Sequence, residues 1–193
     1  MLLKNPSRIL ILLSSLLISG AYFLPLWRIL MWAPQYPEWL ELKIWINNIS
    51  GDINTINGLN HYIGMKLIKP EMFPEFQYMT YILAFLIGVG LLTALFKKRW
   101  ILIGYIGLLI ASGIAALIDF YQWGYDYGHN LNPDAAIKIP GMAYQPPLIG
   151  TKILLNFTAF SGPDVGGWLI ISAAGIAILV LGAEIWLGKK RNT

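Results

Sequence analysis

The chain has no cysteine among its 193 residues. That excludes disulfides, thiolate zinc sites, iron–sulfur clusters and thiol nucleophiles. It leaves the redox compartment open, because a cysteine-free chain suits an oxidising or a reducing one. Histidine is nearly absent too. His61 and His129 are the only two, too few for a pair of bis-histidine haems. Charge is scarce, at 12% of residues against 56% hydrophobic, with a mean hydropathy of +0.59. Such a balance belongs to integral membrane proteins. A Walker loop, a Gly-x-Ser-x-Gly elbow and a His-Glu-x-x-His helix are all missing, so the common signatures of nucleotide hydrolysis, acyl transfer and zinc proteolysis are not met. No apolar segment holds the paired acids or broken repeats of a secondary transporter. These gaps lead to the expectation that the protein is not an enzyme.

What is present is long apolar sequence. About 20 apolar residues cross ~30 Å of hydrocarbon, and four windows reach that length: about 9–27, 78–96, 100–120 and 165–187. Lys4 and Arg8 precede the first window but no small-x-small cleavage site follows it, so it reads as a retained signal anchor. Lys97, Lys98 and Arg99 separate the second and third windows, and Lys189, Lys190 and Arg191 follow the fourth. With four crossings, all three basic clusters fall on one side. Lysine and arginine mark the cytoplasmic side, which places both termini inside and the segments of about 28–77 and 121–164 outside. The expectation is a single domain over residues 1–193: an all-α membrane protein, a four-transmembrane-helix bundle in a bacterial inner (plasma) membrane, with two structured extracytoplasmic loops. The net charge of +4 is membrane topology, and no nucleic-acid partner is expected. Gly88, Gly90, Gly104, Gly107, Ser112 and Gly113, with Ser172 to Ala177 in the fourth window, would let helix backbones approach closely.

The outer segments are rich in apolar and aromatic residues and so read as ordered. Leu40 to Ile46 alternates with the period of a half-buried strand. Leu26 to Trp32 supplies a candidate partner, with a two-proline turn at Ala33–Glu38 between them. A small β-hairpin cap follows. Ile53–Leu67 is expected as a short helix carrying His61, and Ile137–Ile139 as a further strand. Two N-x-S/T sequons, at Asn48 and Asn156, lie in the outer segments and matter only in a glycosylating host.

Two constellations could carry chemistry. His61 and Met65 are four apart, on one face if helical. Imidazole with thioether favours copper, Cu(I) above all, and His129 and Met142, with Met72 and Met31, could complete such a site. The plainer reading makes the histidines hydrogen-bonded members of a packed cap and the methionines filler. The other constellation is Asp119 to His129. There Asp119, Asp126 and Tyr127 could relay a proton, touch a quinone headgroup or contact a partner, or the segment could be an interfacial aromatic belt. Glu184, near Lys189, reads as snorkelling toward the interface.

Four motifs in these segments, Ala33-Pro34-Gln35-Tyr36-Pro37-Glu38, Asn60-His61-Tyr62-Ile63-Gly64-Met65, Tyr125-Asp126-Tyr127-Gly128-His129-Asn130-Leu131 and Met142 to Gly150, resemble a family of small polytopic membrane proteins. That family is encoded with nitrous-oxide reductase and its copper-maturation factors in Bacteroidetes-like bacteria. The resemblance implies an accessory protein at the periplasmic face, handling Cu(I) or assisting assembly of a copper enzyme, with a membrane or periplasmic protein partner. It carries over no catalytic residue. The other readings are a subunit of a quinol-linked electron-transfer complex and a tetraspan scaffold that binds a protein through Tyr36, Trp32 and Trp45.

Overall fold

The computed structural model describes residues 2–190. It overturns the all-α expectation. The chain is mixed α/β, with a helical layer carrying a five-stranded antiparallel sheet. The helices are α1 (Asn5–Ser19), α2 (Ile53–Ile63), α3 (Phe76–Phe96), α4 (Arg99–His129) and α5 (Val165–Lys189). The strands are β1 (Trp27–Trp32), β2 (Leu40–Ile44), β3 (Ile49–Gly51), β4 (Gly150–Leu154) and β5 (Phe157–Pro163), in the order β3-β2-β1-β5-β4.

Three helices among the described residues, not four, are long and apolar enough to cross a membrane: α3, α4 and α5. The apolar run after Lys4 continues to Trp27, but its helix stops at Ser19. A 3-10 turn follows at Gly20–Tyr22, and Pro25 then holds the chain extended into β1. At 1.5 Å per residue, 15 residues give about 22 Å, short of ~30 Å.

The helix α1 still packs along the others. The Ser14 hydroxyl donates to Ala173 O (2.9 Å) and the Tyr22 hydroxyl to Thr80 O (2.7 Å). Ile11, Ile18, Leu102, Tyr105, Ala173 and Ala177 close the core between the helices. Small residues matter at fewer places than the sequence suggests. A Cβ on Gly90 would sit 2.1 Å from Ser15 Oγ and 2.9 Å from the Tyr105 hydroxyl, whereas one on Gly88, Gly104, Gly107 or Gly113 would meet nothing. Large apolar side chains face outward from these helices, among them Phe85, Leu95, Ile103, Ile114, Leu179 and Ile185. Only 22–28% of each hydrophobic window is buried, so most of the apolar surface of these helices is left uncovered by the chain itself.

The basic clusters meet at one end. Leu3 N–H donates to Lys97 O (2.6 Å), and Arg8 Nε donates to Ala94 O (3.0 Å). Glu184 is buried there and does not snorkel. It accepts from Lys4 N–H (2.9 Å) and the Ser7 hydroxyl (2.5 Å). This carboxylate from α5 therefore caps the first turn of α1, where free N–H groups and the helix dipole favour an anion.

The sheet sits at the other end. β1 and β2 do pair antiparallel, Ile29 opposite Leu42 and Met31 opposite Leu40, but as two strands of a larger sheet and not as a hairpin cap. β5 lies on the other edge of β1, with Ile29 opposite Ser161, and β4 pairs with β5. One face, carrying Ile29, Leu40, Leu42 and Ile49, packs on Ile56 of α2 and Tyr127 of α4. The sequence expectation put a strand at Ile137–Ile139, and that segment is irregular.

Candidate functional site

α4 positions the site. Its 31 residues measure about 46 Å, more than the ~30 Å a hydrocarbon core needs, and its last turns pack against the sheet. The segment from Tyr121 to His129 is thus helix and not the start of an outer loop. Its inner side bears Trp123 and Tyr127, their rings tilted by 42° with centroids 4.7 Å apart. Phe73 lies 5.3 Å from Trp123, and Phe120 lies 5.7 Å from it. Trp27 at the start of β1 reaches Phe120 at 5.5 Å.

Across from these rings, α2 covers the sheet. It ends where Gly64 adopts a left-handed conformation (φ 80°), and Met65 N–H turns back to Asn60 O (2.9 Å). That is a Schellman-type stop. The chain after α4 then locks onto α2. Asn132 N–H donates to Gly64 O (2.8 Å), Ile137 N–H to Tyr62 O (2.9 Å), and Tyr144 N–H to Gly128 O (2.9 Å). Gly128 permits the last contact, since a Cβ there would lie 2.4 Å from Gln145 N.

These elements line a half-open cavity of about 300 Å³. The sheet gives it Ile29, Met31, Leu42 and Phe157, α2 gives Ile56, Leu59 and Ile63, and α4 gives Trp123 and Tyr127. The β4–β5 turn closes one side with Leu155, which holds a left-handed conformation (φ 57°). A leucine in that conformation costs about 1–2 kcal/mol. Among the described residues, no Asp, Glu, Lys, Arg or His lines the cavity; its polar members are Gln35, Asn60, Asn156 and aromatic polar atoms. The volume is at the lower end for small-molecule sites, and the lining has their usual apolar character.

The residues singled out from sequence are distributed around this cavity. Met65 lines it, as does Met31. His61 is exposed on α2, its ring edge-on to Tyr62. Met65 lies past the end of that helix, so the shared helical face expected of His61 and Met65 is not formed. His129 is exposed at the end of α4, stacked on Tyr125 at 3.9 Å, with Nδ1 3.0 Å from Tyr125 O. Met142 is half-buried in the segment after α4. Among the described residues, no three His, Asp or Glu side chains are grouped as a metal ion would need. Asp119 is exposed on α4, below the cavity. Asp126 pairs with Lys66, tying α4 to the chain after α2. Tyr127 is buried, and its hydroxyl donates to Leu67 O (3.2 Å) and lies 3.6 Å from Met72 Sδ.

Sequence reasoning missed Tyr144, Leu59 and Leu155 as site residues and took in Trp123 only as part of the Asp119–His129 constellation. Only Tyr144 carried a signal, as an aromatic residue flanked by the proline and glycine turns at Pro140-Gly141 and Pro146-Pro147.

No protein-family model, curated protein or solved structure matches the chain. Nothing in these comparisons links it to nitrous-oxide reductase gene clusters.

Proposed function

We propose that the chain is a non-enzymatic accessory protein of the bacterial plasma membrane that holds an apolar ligand in its sheet domain. The cavity of about 300 Å³ between the sheet, α2 and α4 carries this reading. Apolar side chains from the sheet, α2 and α4 line a half-open recess there, which is the usual character of a small-molecule site. The uncharged lining supports holding over proton transfer. The basic end is cytoplasmic by the lysine and arginine rule, which puts the sheet domain outside.

Equilibrium dialysis of fluorene, a rigid three-ring hydrocarbon, against the detergent-solubilised full chain tests the reading. Wild type should bind one equivalent. Leu59→Trp, which fills the void, should bind none while keeping its circular dichroism spectrum. Equal uptake by both proteins, or by neither, would contradict it.

A copper form of the same reading has one support. Met31 and Met65 reach the cavity from two different elements, and paired thioethers select Cu(I). If they bind Cu(I) there, Cu(I) should displace fluorene from wild type and not from Met31→Leu/Met65→Leu. Cu(I) that leaves fluorene binding unchanged removes the copper form alone.

A further inference from the structure

The end of the molecule opposite the sheet gathers three stretches of chain that are far apart in sequence. Leu2 bridges to Lys98, and Leu3 N–H donates to Lys97 O (2.6 Å). Lys4 N–H donates to the Glu184 carboxylate, and Arg99 Nη2 donates to Glu184 O. Lys190 Nζ stands over the Trp186 ring, 4.2 Å from its centroid. These contacts hold Lys4, Arg8, Lys97, Lys98, Arg99 and Lys190 at one end. Of the ten acids in the chain, only Glu184 belongs there. It is buried and already accepts from Lys4 N–H and the Ser7 hydroxyl. Among the described residues, Lys97, Lys98 and Lys190 form no ion pair. Like charges gathered in this way repel one another, and an anion from outside the chain would offset that repulsion.

Two further observations indicate which anion. The bases are interleaved with apolar side chains, and Leu2, Phe96, Trp100 and Trp186 are each more than half exposed. Free phosphate would leave these uncovered, whereas a phospholipid covers both kinds of group. Tryptophan beside lysine is also the usual composition at headgroup level. The second observation is the conformation of Lys97, which is left-handed (φ 60°) in the turn between α3 and α4. A Cβ is unfavourable there, and glycine is the usual occupant of that position after a helix. A lysine kept where glycine fits more easily points to a use for its charge, since strain of this kind gathers at functional sites.

We infer that this end binds anionic phospholipid, with the phosphate received by Lys97 and Lys98 and the acyl chains lying along Phe96 and Trp100. This rests on the membrane placement proposed above and is independent of the cavity. The lysine and arginine rule says which side the bases face; the lipid class is the added claim.

Phosphatidylglycerol and phosphatidylcholine with identical acyl chains separate the two, because only the first carries net negative charge. Native mass spectrometry of the detergent-solubilised full chain, titrated with each lipid, gives both affinities. A lysine at the headgroup layer contributes about fivefold. Wild type should therefore take phosphatidylglycerol about fivefold more tightly, or more so, than phosphatidylcholine. Lys97→Gln/Lys98→Gln should lose the preference, and Lys138→Gln, at the sheet end, should keep it. Lys97→Gly frees the left-handed turn of its Cβ, so affinity for phosphatidylglycerol should fall about fivefold with no loss of thermal stability. Glycerol phosphate, an anion without acyl chains, should not displace the lipid at equal concentration; displacement would overturn the lipid as occupant. Equal affinities in wild type would overturn the inference and leave the membrane reading standing. A preference that persists in the double variant would overturn the assignment to this turn. Binding of neither lipid would overturn both.

Discussion

Leu155 is the residue whose placement is hardest to explain by folding alone. It occupies the two-residue turn between β4 and β5 in a left-handed conformation, where Asn or Gly is the usual occupant. It is also 37% exposed, so packing returns little of that strain. Its contribution is to the cavity wall, and strain of this kind gathers at functional sites. Leu155→Asn should relieve about 1 kcal/mol, raising the melting temperature, while weakening fluorene binding. A lower melting temperature would show that the leucine is held for stability. The strain also explains why this turn was illegible in sequence: Leu-Asn matches no hairpin signature. His61 and His129 are the opposite case. They were conspicuous because histidine is rare here, yet the structure leaves both exposed and engaged with neighbouring tyrosines.

At the scale of elements, alternation made β1 and β2 legible, because one face is buried and the other is not. β5 was not, because the positions it buries are Ala159, Ser161 and Gly162, which carry no apolar period. α4 was read as ending near Phe120, where charge and polar aromatics begin. It continues because the polar stretch is amphipathic, burying Gly124, Tyr127 and Gly128 and exposing Tyr121, Tyr125 and His129. Its two late glycines separate propensity from contact. A Cβ on Gly124 would touch only the flexible end of Gln145, at 3.9 Å, whereas one on Gly128 would collide with the Gln145 backbone. In thermal unfolding, Gly124→Ala should stabilise by up to about 1 kcal/mol through helix propensity. Gly128→Ala should destabilise by about 1–3 kcal/mol through overpacking and displace Tyr144. Equal shifts in both variants would mean that the segment around Tyr144 yields freely.

For the whole molecule, the presence of helices long and apolar enough to cross a membrane was legible from composition, and the grouping of the basic ends from charge. The number of spans was not, because apolar length alone does not show that a helix ends at Ser19 and a strand begins at Trp27. The cavity was invisible because its walls come from four distant stretches of chain. The proposed orientation has a direct check that the absence of cysteine makes free of background. In intact cells, a membrane-impermeant maleimide should label Asn54→Cys on α2. It should reach Lys98→Cys, between α3 and α4, only after permeabilisation. The reverse pattern would invert the proposed topology.

The central claim is that the sheet domain keeps an apolar cavity for a ligand. Crystals of the full chain under xenon pressure test it most directly, because xenon enters apolar voids and not hydrated ones. The prediction is a xenon site among Ile56, Ile63, Trp123 and Phe157. A cavity filled by ordered water, or closed by its own side chains with no xenon bound, would contradict it.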